Sequence, residues 1–412
     1  MPRRLKIFLL LGLALALLSL GLWLYLRPHA PNPPIPDRLV LAPARFADLP
    51  GWEADDLGAA LAVFRRSCAR IDRLPDGAAR GGEAEVAGTA GEWKSACEAA
   101  ARVPSGDRAA ARAFFETTFT PVAASNHGER TGLFTGYYEP TLHGSRTPGG
   151  RFTIPLYRRP PELVVVDLGL FRDEWKGRRI AGRVEHGSLL PYPDRAEIRA
   201  GSLAGRGLEL AWVDDPIDAF FLEIQGSGRI ELAEGGVLRV GFAAQNGHPY
   251  FAIGHDLVER GALKKEEVSL QSIRAWLLAH PVEAPQVMAR NRSYVFFEEL
   301  KGEGPLGAEG VVLTPGRSLA VDLKYLPLGV PVWLDGQAPA MPVGTEKAPD
   351  RPLRRLLVAQ DTGGAIRGPV RGDVFWGHGE AAAEVAGRMK HPGRIWLLLP
   401  KRIAARLANR PQ

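Results

Sequence analysis

The chain has 412 residues, with 52 Lys or Arg and 46 Asp or Glu, so its formal net charge is +6. Apolar residues make up 45% and charged residues 24%, which excludes a disordered chain, a collagen-like chain and a polytopic membrane protein. The 47 glycines and 34 prolines favour a turn-rich β protein over a helical bundle, and the length accommodates about two or three domains.

The N-terminal segment predicts membrane association. Residues 7–26 form a run of 20 residues without a charge, which at 1.5 Å per residue is about 30 Å, the thickness of a bilayer's hydrocarbon core. Basic residues precede this run. The short N-terminal stub that they form, residues 1–6, is therefore expected to stay in the cytoplasm while the remaining chain is exported. We therefore predict that 1–26 is a membrane anchor or a cleaved signal sequence, and that 27–44 is a Pro-rich linker.

The same stub accounts for much of the positive charge, so a nucleic-acid-binding surface is not indicated. The first 60 residues contain no cysteine, and therefore no lipid-attachment motif is found.

The two cysteines of the chain, Cys68 and Cys97, each lie in an Ala/Arg-rich stretch with helical spacing. In an exported protein a disulfide between two helices is expected, although two buried free thiols remain the alternative.

After the linker, the apolar spacing between residues 52 and 119 predicts three helices. From residue 133 onward, short runs rich in Val, Ile, Phe and Tyr are separated by Gly and Pro, which is typical of strands. Helices return between 256 and 291, one Ala-rich helix is predicted over 380–389, and 337–352 is predicted to be a surface loop. The predicted fold class is mainly β, an α+β chain with a closed barrel. The predicted strands are 133–138, 152–157, 208–213, 219–224, 229–232, 237–242, 294–297, 319–323, 330–334, 355–360, 374–376 and 395–399.

Two aspartates flank a glycine-rich segment near the C-terminal end. Asp361 closes one apolar strand and Asp373 precedes an aromatic one, with 11 residues between them. Two strand ends joined by such a turn can bring both carboxylates into one cleft. Close like charges, together with desolvation by Phe375 and Trp376, raise one pKa and leave an acid protonated near neutral pH, as glycosidic-bond protonation requires. The residues alone equally allow ordinary turns in which aspartates cap backbone amides.

Several motifs, found in one order along the chain, carry a resemblance to a known family. The chain resembles the membrane-bound lytic murein transglycosylase A family, including its C-terminal 3D domain, which is named for three aspartates. These match Asp322, Asp361 and Asp373 here. The matching segments are Thr-Gly-Tyr-Tyr-Glu-Pro at 135–140, Phe-Phe-Leu-Glu-Ile-Gln-Gly-Ser-Gly at 220–228, Gly-Phe-Ala-Ala-Gln-Asn-Gly-His-Pro-Tyr at 241–250, Asn-Arg-Ser-Tyr-Val-Phe-Phe at 291–297, and 359–377 together with 320–322 and 327–329.

The resemblance implies a double-psi β-barrel domain built from 45–140 plus 285–412, with an inserted β-rich domain over 141–284 that forms a substrate groove. It also implies cleavage of the MurNAc–GlcNAc β-1,4 bond of peptidoglycan glycan strands without water, leaving a 1,6-anhydromuramoyl end. Asp373 matches the family's single catalytic acid and base, and Asp361 the aspartate that begins the glycine-rich turn. No cofactor and no metal are implied, because the attacking hydroxyl belongs to the substrate.

Other residues in the motifs are candidates for contacts with the sugar. Gln225 and Ser227, after the predicted strand 219–224, are expected to hydrogen-bond the substrate, although a tight hairpin would need the same glycines. Thr135 and Tyr137 are expected to line the groove, while one of Tyr137 and Tyr138 should lie in the core because alternating strand residues face opposite sides. The remaining candidates for sugar contact are Gln245 and Asp322. The polar loop that contains Gln245 could equally be an ordinary Asn-Gly turn at 246–247, and a structural role is the alternative for Asp322.

Two other functions stay open at this point. A hydrolytic β-glucan glycosidase would use Asp373 as acid and a second carboxylate as base, and a non-catalytic, expansin-like wall-binding module would need neither. The resemblance implies the periplasmic face of a Gram-negative envelope. Because the lipid-attachment cysteine is missing, a form anchored in the inner membrane through 7–26 or secreted to the periplasm is expected.

Overall fold

The computed structural model of the protein describes residues 36–408 except 84, 85, 87, 176, 177, 303 and 341–348. The predicted anchor at 1–26 and most of the predicted linker therefore lie outside the described residues. Within the described part of the chain, no helix combines the length and apolarity that a membrane span requires.

Three helices follow the first strand, as predicted. Aspartates begin two of them, because the side chain of Asp56 accepts a hydrogen bond from the amide of Ala59 and that of Asp107 from the amide of Ala110. The chain then enters two long strands. These elements are β1 (Leu39–Pro43), α1 (Leu57–Ile71), α2 (Ala90–Arg102), α3 (Arg108–Thr118), β2 (Phe119–Asn126) and β3 (Gly132–Glu139).

The middle of the chain forms two further sheets and five helices. A six-stranded sheet has the order β12-β11-β10-β4-β9-β5, and a three-stranded sheet has the order β6-β7-β8. The strands are β4 (Thr141–Ser145), β5 (Ile154–Tyr157), β6 (Val164–Asp167), β7 (Arg179–Glu185), β8 (Ser188–Pro191), β9 (Glu209–Val213), β10 (Ser227–Leu232), β11 (Val237–Gln245) and β12 (Val295–Glu299). The helices are α4 (Arg195–Arg199), α5 (Pro216–Gln225), α6 (Ile253–Glu259), α7 (Leu270–Ala279) and α8 (Ala284–Ala289).

The C-terminal part completes a closed barrel with β3. Its elements are β13 (Ser318–Val321), β14 (Pro331–Ala338), β15 (Arg351–Asp361), β16 (Arg371–His378), α9 (Glu380–Arg388), β17 (Lys390–Pro400) and α10 (Lys401–Ala408). The order β17-β14-β15-β13-β16-β3 closes because β17 also pairs with β3, and β2 and β1 continue the sheet from β17. The predicted fold class is confirmed: a six-stranded barrel, an inserted β domain and N-terminal helices.

One predicted strand is wrong. Residues 219–224 belong to helix α5, which begins at the cap of Asp215 with Pro216 in its first turn and ends at Gly226, whose φ is 78°. The helix buries residues on most of its surface, from Ile217 to Glu223, so its sequence has no polar stripe. Without that stripe, a short apolar run does not distinguish a helix from a buried strand.

The sheet of the inserted domain extends past the predicted boundary at residue 284. Strand β12 pairs antiparallel with β11, in a register that joins Phe297 to Phe242, so a division at 284/285 separates strands of one sheet. The strands β6, β7 and β8, which form a separate small sheet, were not predicted, and neither were β1, β2 and β4. The predicted surface loop at 337–352 is shorter at both ends, because β14 and β15 pair as far as Ala338 and Arg351.

The main core joins the barrel to the N-terminal helices. The fully buried Trp333 of the barrel packs edge-on against Trp52, at 5.1 Å between ring centroids, and Phe64 of α1 lies in the same cluster. Cys68 on α1 and Cys97 on α2 form a disulfide with Cα atoms 5.3 Å apart. Helices and barrel thus form one apolar unit that holds the barrel strands in place.

Candidate active site

Four neighbouring barrel strands place the two aspartates of the glycine-rich segment in one row. In this row Asp361 is paired with Ala320 of β13, Ala320 with Asp373 of β16, and Asp373 with Thr135 of β3. Paired residues on adjacent strands point to the same face of a sheet. Since strands lie about 4.8 Å apart, the Cα atoms of the two aspartates are roughly 10 Å apart, with only a small alanine between them.

Asp373 is half-buried and has one oxygen in a hydrogen bond. Its Oδ1 accepts from Oγ1 of Thr135 at 2.8 Å, and no described residue donates to its Oδ2. Burial raises the pKa of Asp373 to about 6, the charge of Asp361 adds to that rise, and Arg371 and the Thr135 hydroxyl oppose it. Asp373 is therefore an acid that holds its proton in mildly acidic solution and can still release it near neutral pH.

Asp361 is engaged on both oxygens. The amides of Ala308 and Thr362 each donate to its Oδ1 at 2.9 Å, and the hydroxyl of Tyr137 donates to its Oδ2 at 2.8 Å. Burial raises its pKa, while these three hydrogen bonds act in the opposite direction. The arrangement fixes the carboxyl group in place at the edge of the row.

Tyr137 connects Asp361 to the aromatic strand. Burial, together with the nearby Asp361, holds the pKa of Tyr137 well above its ordinary value, so the phenol stays neutral and donates. Its ring centroid lies 5.2 Å from that of Phe375. Both Tyr137 and its neighbour Tyr138 are half-buried, so the prediction that one of them lies in the core is wrong. Each phenol lies near charged groups and not in the apolar core, because Tyr137 donates to Asp361 and Tyr138 lies near Asp218 and Arg274.

Gln225 ties that helix to the barrel. It is the last residue of α5, and its Oε1 accepts a hydrogen bond from the amide of Tyr138 at 3.1 Å. Ser227 begins β10, opposite Gly241 of β11. The glycine between them ends a helix, so a tight hairpin at this position, the alternative to sugar contact, is not what the structure forms.

Gln245 lies at the end of β11 and is held by residues of its own surroundings. Its Nε2 donates to the carbonyl of His248 at 2.9 Å and to Oγ of Ser293 at 2.8 Å. The next residue, Asn246, is fully buried, and its side chain bonds the backbone at Pro193, Arg292 and Tyr294. Among the described residues neither side chain bonds to Asp361 or Asp373, so these contacts hold the loop within the inserted domain.

Asp322, the third predicted aspartate, has a different environment. It is buried, its Oδ1 accepts from the amide of Lys324 at 3.0 Å, and its Oδ2 accepts from the amide of Gly368 at 2.9 Å. Both oxygens thus hold backbone together at the end of β13 and at the glycine-rich turn. The structural role that the sequence left as the alternative accounts for both oxygens of Asp322, and its sugar contact stays a prediction.

The sequence interpretation assigned no role to Arg371, which the structure places beside Asp373. Its Nη2 donates to Oγ1 of Thr135 at 2.8 Å. A signal was present, because Arg371 precedes Asp373 by two residues and such residues of a strand face the same side. The amide of Ala308 was also missed, and no sequence pattern marks a loop amide that reaches a side chain 53 positions away.

The barrel with this row of residues belongs to the class of 3D-domain proteins. The family model described as 3D domain matches residues 317–399, and the model described as MltA specific insert domain matches 133–298. The chain is 34% identical over 295 residues to membrane-bound lytic murein transglycosylase A of Escherichia coli (strain K12), covering 71% of this chain and 72% of that protein. The chain therefore belongs to the membrane-bound lytic murein transglycosylase A family.

Solved structures agree with this assignment. A membrane-bound lytic murein transglycosylase from Agrobacterium tumefaciens aligns with a TM-score of 0.78 at 37% identity, covering 89% of this chain and 99% of that one. MltA from Neisseria gonorrhoeae aligns with a TM-score of 0.71 at 34% identity, covering 91% and 97%. Escherichia coli MltA with bound chitohexaose aligns with a TM-score of 0.62 at 28% identity, covering 89% and 93%. The predicted enzyme class, a homologue of lytic murein transglycosylases, is confirmed.

Proposed function

We propose that this protein cleaves the β-1,4 bond between MurNAc and GlcNAc in peptidoglycan without water and leaves a 1,6-anhydromuramoyl end, with Asp373 as the one acid and base. Membership of the family supports the substrate class, and the chitohexaose bound to the Escherichia coli relative supports a glycan strand as the ligand. One observation carries the mechanism: Asp373 accepts one hydrogen bond from the described residues, on Oδ1, whereas Asp361 accepts three, on both oxygens.

The first step is protonation of the leaving oxygen. Burial keeps Asp373 protonated up to about pH 6, and its Oδ2 accepts no bond from any described residue, so this oxygen can face the glycosidic oxygen. Proton transfer breaks the C1–O bond as positive charge develops on the sugar ring. Asp373 becomes a carboxylate, which the neighbouring Arg371 stabilises.

The second step returns the proton. The carboxylate of Asp373 accepts the proton of the C6 hydroxyl, and the C6 oxygen forms its bond to C1 of the same sugar. The 1,6-anhydro ring closes, and Asp373 is again protonated. Because the nucleophile is part of the substrate, its effective concentration is high and neither an activated water nor a metal is needed.

Asp361 is poorly placed to act as a second catalytic base. A hydrolase needs a carboxylate that accepts a proton from water, but Asp361 already accepts three hydrogen bonds. We propose that Asp361 acts through its negative charge, which helps to keep Asp373 protonated. This bonding favours the transglycosylase over the hydrolytic alternative.

Sugar contacts are proposed for the residues between the barrel and the inserted domain. Tyr137 offers a ring edge beside the row of aspartates, and Ser227 lies at the start of β10 with a hydroxyl that no described residue binds. Within the described part of the chain, only one end of each side-chain amide of Gln225 and Gln245 is bonded, which leaves the other end for a sugar. Thr135 donates its hydroxyl hydrogen to Asp373, so it acts on the acid and not on the sugar.

We further propose that the protein works at the periplasmic face of a Gram-negative envelope, attached through 7–26 or released from it. The charge-free run at 7–26 and the membrane-bound relatives support this location. Detection of the protein in the inner-membrane fraction or in the soluble periplasmic fraction decides between the two forms.

The test is mass spectrometry of the sugars that the purified protein releases from sacculi. We expect muropeptides lighter by one water than hydrolysis products. We also expect the Asp373→Asn variant to lose at least about a hundredfold in rate while it still binds sacculi. The matched control is Asp72→Asn, at an exposed position on the end of α1. The assignment of Asp373 as the acid and base would be refuted if Asp373→Asn kept its turnover, whether or not the variant still bound sacculi.

A further inference from the structure

The hydroxyl of Thr135 lies between a permanent donor and the catalytic acid. Its Oγ1 is 2.8 Å from Nη2 of Arg371 and 2.8 Å from Oδ1 of Asp373. A guanidinium group has donors only and keeps its charge at all relevant pH values. Thr135 must therefore accept from Arg371, and its one hydrogen is left for Asp373.

The direction of these two bonds decides which oxygen of Asp373 carries the proton. As long as Thr135 donates to Oδ1, as it does to the carboxylate, this oxygen acts as an acceptor whether or not the carboxyl group is protonated. In the protonated acid the hydrogen consequently belongs on Oδ2. That oxygen has no partner among the described residues, and it is the one that can reach a substrate.

Arg371 is itself fixed by the backbone. Its Nη1 donates to the carbonyl of Gly372 and, at 3.3 Å, to the carbonyl of Leu133 on the paired strand. The guanidinium thus bridges β16 and β3 at the register pair Arg371–Leu133. A lysine could supply the charge at this position but not two directed donors at opposite ends of a rigid plane.

We propose that Arg371 and Thr135 are positioning residues that direct the proton of Asp373 to Oδ2, the oxygen facing the glycosidic bond. This inference rests on the proposed function and deepens it. Without the pair, the proton is shared between the two carboxyl oxygens, and the fraction of molecules with the productive arrangement falls. Thr135 is thereby assigned to the acid rather than to the sugar.

The same pair also shapes the pH dependence of the reaction. The groups that face Asp373 are Arg371 on its own strand, Tyr137 on β3, Asp361 on β15 and, next to Thr135 in the register, Lys390 on β17. On β13 the neighbour is the uncharged Ala320. Helix α9 packs on the opposite face, where Gly136 meets Ala386 and Trp376. Arg371 and Thr135 lower the pKa of Asp373, so removal of either should raise it.

The experiment measures the pH profile of anhydro-sugar release from sacculi by the full chain. In Thr135→Val and Arg371→Met we expect the rate at mildly acidic pH to fall by about twofold or more, and the pH of half-maximal rate on the alkaline limb to move upward. In Thr135→Ser, which keeps the hydroxyl, the midpoint should return to the wild-type position. Thr120→Val on β2 and Arg183→Met on β7 are matched controls on strands outside the site, and their midpoints should not move.

The outcomes separate this inference from the function on which it rests. A merely structural defect lowers the rate at every pH but leaves the midpoint in place, and that result in Thr135→Val would overturn the proposal. A midpoint that moves equally in Thr135→Ser would overturn it too, because the hydroxyl would not be the cause. If Arg371→Met fails to fold, the two Thr135 variants still decide. If wild-type protein releases hydrolysed sugars instead, it is the proposed function that fails.

Discussion

Asp373 and Asp361 are chemically identical side chains that their surroundings make different. One accepts a single hydrogen bond and lies next to an arginine, whereas the other accepts three and lies next to a phenol. The first can exchange its proton with a ligand, whereas the carboxyl group of the second is held in place by its three donors. The proposed roles, Asp373 as the acid and Asp361 as its electrostatic partner, therefore follow from the number and direction of the hydrogen-bond donors around each carboxyl group. They do not follow from the spacing of the aspartates along the chain.

A prediction at the residue scale concerns Asp361→Asn. The amide oxygen of an asparagine can still accept from Ala308 and Thr362, and its amino group can donate to Tyr137, so the fold should be kept. Because the charge of Asp361 raises the pKa of Asp373, the substitution should lower that pKa. The rate should then decline at a lower pH than in wild-type protein and be reduced a few-fold near neutrality.

The pH profile of sugar release checks this prediction, with Asp72→Asn as the control. The sign is explicit: activity needs the protonated acid, so it falls as pH rises through the pKa of Asp373, about 6 in the wild type. A midpoint that stays in place or moves to higher pH in Asp361→Asn would mean that the two carboxyl groups do not interact.

At the scale of the elements, the barrel and most strands could be predicted from the sequence, whereas the environment of the site could not. Short runs rich in β-branched and aromatic residues, separated by Gly and Pro, indicated strands within β3 and β16. Helix α5 was predicted as a strand because it is buried on nearly all sides and has no polar stripe. Its only helix signals in the sequence are the capping residues Asp215 and Gly226. The row of Asp361, Asp373 and Thr135 depends on register between distant strands, which no local pattern encodes.

Local patterns also failed where a loop reaches into the site. The amide of Ala308 and the guanidinium of Arg371 have no sequence signature as partners of Asp361 and Thr135, because their roles arise only from the closed barrel. The family resemblance named all three aspartates but did not distinguish Asp322, which bonds to backbone amides, from the two in the row.

The disulfide offers a prediction about the helices. Cys68 and Cys97 are separated by 29 positions and link α1 to α2. Closing a loop of that length restricts the unfolded chain, so reduction should lower the free energy of unfolding by about 3 kcal/mol. Urea unfolding with and without reductant measures the difference. A Cys68→Ala, Cys97→Ala double variant should match the reduced protein and not respond to reductant. Equal midpoints for oxidised and reduced wild type would contradict the prediction.

On the scale of the whole molecule, a buried polar network joins the N-terminal helix to the barrel and to the site. Glu309 accepts from Oγ of Ser67 at 2.6 Å, and Gln360 donates to the same hydroxyl at 2.9 Å. Gln360 precedes Asp361, and Glu309 follows Ala308, whose amide holds that aspartate. Ser67 and Glu309 are 242 positions apart, so the network joins helix α1 to two segments, at 308–309 and 360–361, that position the carboxyl group of Asp361.

The network makes the stability of the protein depend on pH. Burial raises the pKa of Glu309 to about 7, against an ordinary value of 4.5. Between these values the folded protein binds a proton that the unfolded chain has released. The free energy of unfolding should therefore fall as pH rises from about 4.5 to about 7, by at most about 3 kcal/mol, and level off above.

Urea unfolding at about pH 5 and about pH 8 tests this prediction in wild-type protein and in Glu309→Gln. The glutamine keeps the volume and hydrogen-bonding capacity but does not titrate, so the difference between the two pH values should become smaller. The exposed Glu298→Gln serves as control and should behave like the wild type. If Glu309→Gln retains the full pH dependence, the proton is taken up elsewhere.

The claim that the C6 hydroxyl of the substrate, and not water, attacks C1 is tested most directly by carrying out the reaction in water labelled with heavy oxygen. Sugars released from sacculi by the wild-type protein are then analysed by mass spectrometry. The account predicts anhydro ends that contain no label, because Asp373 only moves protons and the attacking oxygen comes from the sugar. Incorporation of one labelled oxygen for each bond cleaved would contradict it.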